Sequence, residues 1–153
     1  MPLKILMMTG NDPAGMGIAF THALNRYTPH RCRLITTETK YSVGFEKDVH
    51  LPDLDDRGWD EVEALLRTSD IFHFHVLTDE NHPLGPFVIR DFIKGKRLLN
   101  HHHGHPYFMA NPEEFRRKYR ERNRKVLVST PDLLNLLPGS TWITVALTSS
   151  VFV

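Results

Sequence analysis

The sequence predicts an α/β domain with a mostly parallel sheet, and three observations carry that prediction. Short, continuously apolar runs alternate with segments whose apolar residues repeat at helical spacing. The connections are short, which in a βαβ chain means right-handed crossovers with helices on both faces of the sheet. The 153 residues, 41% hydrophobic and 24% charged, suffice for one ordinary globular core without cross-links.

Residues 3–8 are apolar and are closed by Gly10 and Pro13, as in a strand buried on both faces. Phe20, Ala23, Leu24 and Tyr27 share one helical face over residues 18–27, and Pro29 stops that helix. A second strand is expected at 33–37. After the polar residues 47–58, the positions of Trp59, Val62, Leu65 and Leu66 define an amphipathic helix ending near Ser69. Residues 71–77 read as a third strand. Pro86 opens a helix through Phe87, Ile89, Phe92 and Ile93, which Gly95 ends, and residues 97–101 make a fourth strand. Asn111 is placed to cap a helix running to Asn123, with Glu114 near its positive end. Residues 126–129 supply a fifth strand, and Thr130, Pro131 and Asp132 open a last helix through Leu137. The sum is a single Rossmann-like three-layer domain over residues 1–143. Residues 144–153 form an atypical apolar tail, and no charge follows Asp132. Such an end either tucks into the sheet as a strand or marks where a second domain begins.

Nineteen Lys and Arg against eighteen Asp and Glu leave a net charge of +1, which disfavours a nucleic-acid partner held by charge along the whole chain. The single cysteine, Cys32, excludes a disulfide scaffold and fits a reducing compartment. The apolar start lacks the marks of a secretion signal, and no run of eighteen apolar residues occurs. A cytoplasmic protein is expected. Ten histidines are the one excess.

In an open parallel sheet ligands bind beyond the carboxyl ends of the strands, and the unusual residues fall there. Residues 10–17, with Gly15, Met16 and Gly17, feed a helix amino terminus whose amides can hold a phosphate or a hydroxyl. Met16 and Gly17 stand where a Walker loop needs Lys and Ser or Thr, and Phe20 stands where a dinucleotide fingerprint needs its third glycine. A simple tight turn is the other reading. His73 and His75 project from one face of their strand, and His101, His103 and His105 share a face while the backbone stays extended. This cluster admits three readings: a metal site, buried structural histidines, or a cleft lined by imidazoles. The metal reading lacks the aspartate of a binuclear hydrolase motif, because Gly104 takes that place. Seven basic residues and one acid between Arg116 and Lys125 give a local charge of +6 beside Phe115 and Tyr119. Arg116, Arg117 and Arg120 there suit anionic lipid headgroups, or else form a solvated face.

Residues 3–143 resemble the amino-terminal, acceptor-side domain of a GT-B glycosyltransferase of the group 1, family 4-like kind. The resemblance rests on Lys4-Ile5-Leu6-Met7-Met8 leading to Gly15-Met16-Gly17, and on Ser69-Asp70-Ile71-Phe72-His73-Phe74-His75. It extends to Leu98-Leu99-Asn100-His101-His102-His103-Gly104 and to Val126-Leu127-Val128-Ser129. It implies transfer of a hexosyl group from a nucleotide-sugar to a sugar or lipid-linked acceptor, without a cofactor or metal; peripheral contact at the inner membrane face is the expectation from the basic residues 116–125. His103 would be catalytic. Gly15, Met16, Gly17, His73, His75, Gly104 and Ser129 would bind substrate. The family continues past Trp142 and Ile143 into a second, donor-binding domain, whereas here Thr144-Val145-Ala146-Leu147 follows, so this chain alone is expected not to be competent. A stand-alone α/β binding module with a metal or anion at the histidines is the alternative. A flavodoxin-like regulatory domain fits less well, because the strand ends carry histidine where a carboxylate is needed.

Overall fold

The computed structural model describes residues 1–40 and 44–143. In chain order the elements are β1 (Lys4–Thr9), α1 (Met16–Tyr27), β2 (Arg31–Thr36), β3 (Val49–His50), α2 (Asp56–Thr68), β4 (Ile71–His75), β5 (Pro83–Leu84), β6 (Phe87–Val88), β7 (Arg97–His102), α3 (Pro106–Ala110), α4 (Pro112–Glu121), β8 (Lys125–Val128), α5 (Leu133–Leu136) and β9 (Thr141–Trp142). Seven strands form one parallel sheet in the order β3-β2-β1-β4-β7-β8-β9, and β5 and β6 form a separate antiparallel pair. The chain is a Rossmann-like α/β domain.

Side-chain alternation along the strands builds the layers. Ile5 and Met7 of β1 pack with Ile18 and Phe20 of α1, while Leu6 and Met8 turn to the other face and pack with Val62 and Leu66 of α2. A further cluster joins Phe115 and Tyr119 of α4 to Val126 and Val128 of β8. From β1 the chain passes through α1 to β2 on one side, then returns through α2 to β4 on the other. The strand order therefore reverses between β1 and β4, and the connections diverging there open a crevice at the carboxyl ends.

Three expectations change. Residues 86–93 form no α-helix: they hold β6 and a short 3-10 turn over Ile89–Phe92, because Leu84 and Ile89 anchor a hairpin against α2. Asn111 does not cap α4, since its side-chain amide donates to the Tyr107 carbonyl at 2.9 Å. β3 gave no sequence signal, being two residues long; it is held by Thr36 Oγ1 and His50 Nδ1 at 2.7 Å. β9, at the start of the apolar chain end, pairs in parallel with β8. The tail at 144–153 lies outside the described residues.

Candidate functional site

β4 and β7 are adjacent, with His73 opposite Leu99 and His75 opposite His101. His73, His75 and His101 therefore project from one face, the face covered by α1, and His103 joins them just past the end of β7. The four rings make a continuous hydrogen-bonded chain. His73 Nε2 lies 3.2 Å from His101 Nδ1, and His101 Nε2 lies 3.0 Å from Ser129 Oγ. Ser129 Oγ also bonds His103 Nδ1, and His103 Nε2 lies 2.8 Å from His75 Nδ1. Of the nitrogens of these four rings one, His75 Nε2, is buried without a partner among the described residues. The Phe20 ring closes the cluster edge-on to His101 at 5.1 Å.

His73, His75 and His101 are buried among one another, and none of the three lines the cavity that lies above them. Burial holds all four imidazoles neutral at pH 7: it pushes His73 down to about 3 and His103 to about 4, and it takes His75 and His101 well below their ordinary value. Neighbouring imidazoles add to the effect at His73, His75 and His101, since a second charge in the cluster is disfavoured.

The other two histidines of the run part company with the cluster. His102 points to the opposite face, stacks on Phe108 at 4.1 Å between ring centres, and bonds Tyr119 Oη through Nε2 at 2.6 Å. Burial lowers it to about 3. At Gly104 the backbone takes φ +87°, a conformation that side chains disfavour, and the extended register ends there. His105 is thereby turned away to accept the Tyr107 amide on Nδ1 at 3.1 Å, capping α3. Four imidazoles converge rather than five.

Above the cluster lies a cavity of about 490 Å³ lined by Asn11, Pro13, Lys40, Val76, His103, Gly104, His105 and Pro106. These residues follow β1, β2, β4 and β7, so the cavity occupies the switch-point crevice. Val76, a β-branched residue at φ +60°, is held in that conformation while its amide donates to the His101 carbonyl at 2.8 Å. Strain of this kind concentrates at ligand-binding edges. His103 presents its ring to the cavity while both of its nitrogens are engaged inward.

The glycine-rich turn is built differently from the sequence expectation. The Asp12 carboxylate accepts from the Gly17 amide at 2.6 Å and from the Ile18 amide at 2.9 Å, so the amino terminus of α1 already holds an internal anion. A side chain at Gly17 would stand 2.9 Å from Asp12 Oδ1 and 3.1 Å from Leu34 Cδ1, which is why a glycine is needed there. Gly15 and Met16 flank this cap and do not line the cavity. Burial raises the Asp12 pKa, and the two amide bonds act against it. Asp12 escaped the sequence reading, although an Asp four residues before the helix start is a recognisable local signal.

The basic helix is also used internally. Phe115 and Tyr119 are buried in the core, not displayed beside the cations. Lys118 pairs with Asp79 at 2.5 Å, Arg122 with Asp79 and Glu80, and Arg124 with Glu80 at 3.0 Å. Arg116 bonds Glu113 and donates to the Leu136 and Asn135 carbonyls. Of the three arginines expected at a lipid surface, Arg117 and Arg120 alone are exposed. No helix among the described residues is long and apolar enough to cross a membrane. Comparison with protein-family models, with curated proteins and with solved structures finds no match for this chain.

Proposed function

We propose that this chain is the acceptor-side domain of a nucleotide-sugar-dependent glycosyltransferase. The observation that carries the reading is the juxtaposition of the loop after β1 and the His103-Gly104 end of β7 around one crevice at the switch point. That crevice is lined by Asn11, by neutral His103, and by His105, Lys40 and Val76, a mixture of hydrogen-bonding and apolar groups that suits a sugar with its alternating hydroxyls and C–H faces. The acceptor hydroxyl would sit against His103, which exchanges its bond to His75 or Ser129 for a bond to substrate. A neutral imidazole there accepts a proton from a hydroxyl; it does not neutralise a departing diphosphate. That electrostatic work falls to the domain that holds the donor. Within this reading, His73, His75, His101 and Ser129 are positioning residues, which fix the His103 ring without touching the acceptor.

The reading is tested by titrating the isotope-labelled chain with methyl glucoside and with N-acetylglucosamine and following amide shifts by NMR. Saturable shifts at Asn11, Val76, His103 and Gly104, lost in His103→Ala, are expected. Shifts absent at solubility-limited sugar, or confined to residues distant from the crevice, would reject an acceptor site.

A further inference from the structure

The cluster beneath the crevice holds one feature that hydrogen bonding inside the protein does not explain, the unpartnered Nε2 of His75, whose residue is 1% exposed. A buried nitrogen with no partner is costly and uncommon. His73, His75 and His101 each offer a ring nitrogen within 4.8 Å of the others. We propose that His73 Nε2, His75 Nε2 and His101 Nδ1 form a binding site for one borderline-soft divalent cation, Zn²⁺ in the first place. This site is independent of whether the crevice above takes a sugar.

Two features of geometry support it. Metal-to-nitrogen bonds of about 2.0–2.1 Å at tetrahedral angles set neighbouring ligand nitrogens about 3.4 Å apart. His73 Nε2 and His101 Nδ1 already stand 3.2 Å apart. Each residue offers one ring nitrogen within 4.8 Å of the others, about 1.4 Å beyond the tetrahedral span, and the rings, stacked at 4.4 and 5.3 Å between centres, close that gap by turning their nitrogen edges toward one ion.

The proton placement supports it too. If His101 binds through Nδ1, its proton sits on Nε2 and is donated to Ser129 Oγ. If His75 binds through Nε2, its proton sits on Nδ1 and is donated to His103 Nε2. His103 then carries its proton on Nδ1, which also donates to Ser129 Oγ, and that oxygen has two lone pairs to receive both. The protons of His101, His75 and His103 each have an acceptor, two of the ligands, His101 and His75, have their far nitrogen bonded to an outer partner, and the orphan nitrogen is used. Outer partners of this kind are what orient imidazole ligands at zinc. The donor set is all nitrogen, which suits Zn²⁺, Co²⁺, Ni²⁺ or Cu²⁺ and disfavours Mg²⁺ and Ca²⁺. Burial keeps the ligands neutral, so binding displaces no proton from them at pH 7. Three protein ligands leave a fourth position for water or a small anion.

The test uses the untagged chain, stripped with a chelator and titrated with Co²⁺. Saturation at one equivalent with the visible absorption of tetrahedral cobalt, bleached on adding Zn²⁺, is expected. His75→Ala should weaken binding by more than the roughly 10–100-fold that removal of an outer partner costs, and Ser129→Ala should fall in that smaller range. His102→Phe, on the opposite face, should bind as the wild type does. Should His75→Ala fail to fold, X-ray absorption of the zinc-loaded wild type decides, by showing three imidazoles in the first coordination sphere. No cobalt spectrum from the folded wild type at a hundredfold excess, full affinity in a folded His75→Ala, or a zinc sphere with fewer than three imidazoles would each overturn the site.

Discussion

Lowering the pH should weaken this domain well before its carboxylates titrate. His73 and His102 are buried on opposite faces of the sheet, and both are held near a pKa of about 3 by removal from water. In the unfolded chain each returns to about 6.5. Between those values the unfolded state binds the extra proton, so stability is complete above about pH 6.5, falls as the pH drops through it, and stops falling only below the folded value. Integrated from pH 7 to pH 5, one such histidine costs about 2 kcal/mol. The two have no shared partner and add, giving about 4 kcal/mol, and His75, His101 and His103 act in the same direction. Against a stability of roughly 5–15 kcal/mol that is a large fraction. The assay is urea unfolding at pH 7, 6 and 5 in buffer containing a chelator, so that the imidazoles are metal-free. With an m-value of about 2 kcal/mol per molar, the two histidines alone lower the midpoint by about 2 M, and the fall should be at least that large. In His102→Phe the slope between pH 6 and pH 5 should be smaller by about 1.4 kcal/mol per unit. A wild-type midpoint that moves by less than about 0.3 M over that range would refute the claim that these rings are buried uncharged.

Asp12→Ala removes two amide acceptors at the start of α1 and should lower stability by about 1–2 kcal/mol, read as a drop in urea midpoint; an unchanged midpoint would mean that water replaces the cap. Glu80→Ala leaves the Arg124 side chain, 4% exposed, without its carboxylate, and should cost about 3–5 kcal/mol in thermal or urea unfolding, far more than a surface ion pair. Arg117→Ser combined with Arg120→Ser should change stability by less than about 0.5 kcal/mol, and these two cations supply only about 2 kcal/mol of attraction to anionic lipid. Sedimentation with anionic vesicles should therefore be weak in the wild type and absent in the double variant. Strong binding unaffected by the two substitutions would place lipid contact elsewhere.

The layer order was legible because strand and helix periods differ so plainly at residues 4–9, 71–75 and 16–27, and local apolar pattern decides such elements. Residues 86–93 carry a misleading pattern because Phe87, Ile89, Phe92 and Ile93 share a helical spacing by accident; the partners that decide their conformation, Trp59 and the rest of α2, are distant in sequence. The histidine pairs on β4 and β7 were legible as same-face residues. Their depth was not, since burial depends on Phe20 of α1 closing over them and on the register that sets His75 beside His101. The role of Asp79 and Glu80 was hidden for the same reason: the charge excess between Arg116 and Lys125 is visible locally, whereas the two acids that pair with Lys118, Arg122 and Arg124 stand some forty residues earlier.

β7 explains why one short histidine run performs several tasks. Alternation sends His101 to the α1 face and His102 to the α4 face, so adjacent imidazoles enter separate cores. The end of the strand releases His103 to the crevice, and the turn at Gly104 then removes His105 from the group. Ser129, at the end of the neighbouring β8, ties His101 to His103 through one oxygen and thereby couples the buried trio to the ring that faces the cavity. A change at the trio, whether a proton or a cation, reaches the crevice through Ser129, through the His75–His103 bond, and through the direct contact of the His101 and His103 rings at 4.2 Å. Ring orientation at His103 is therefore the quantity by which the buried and the accessible halves of this cluster communicate.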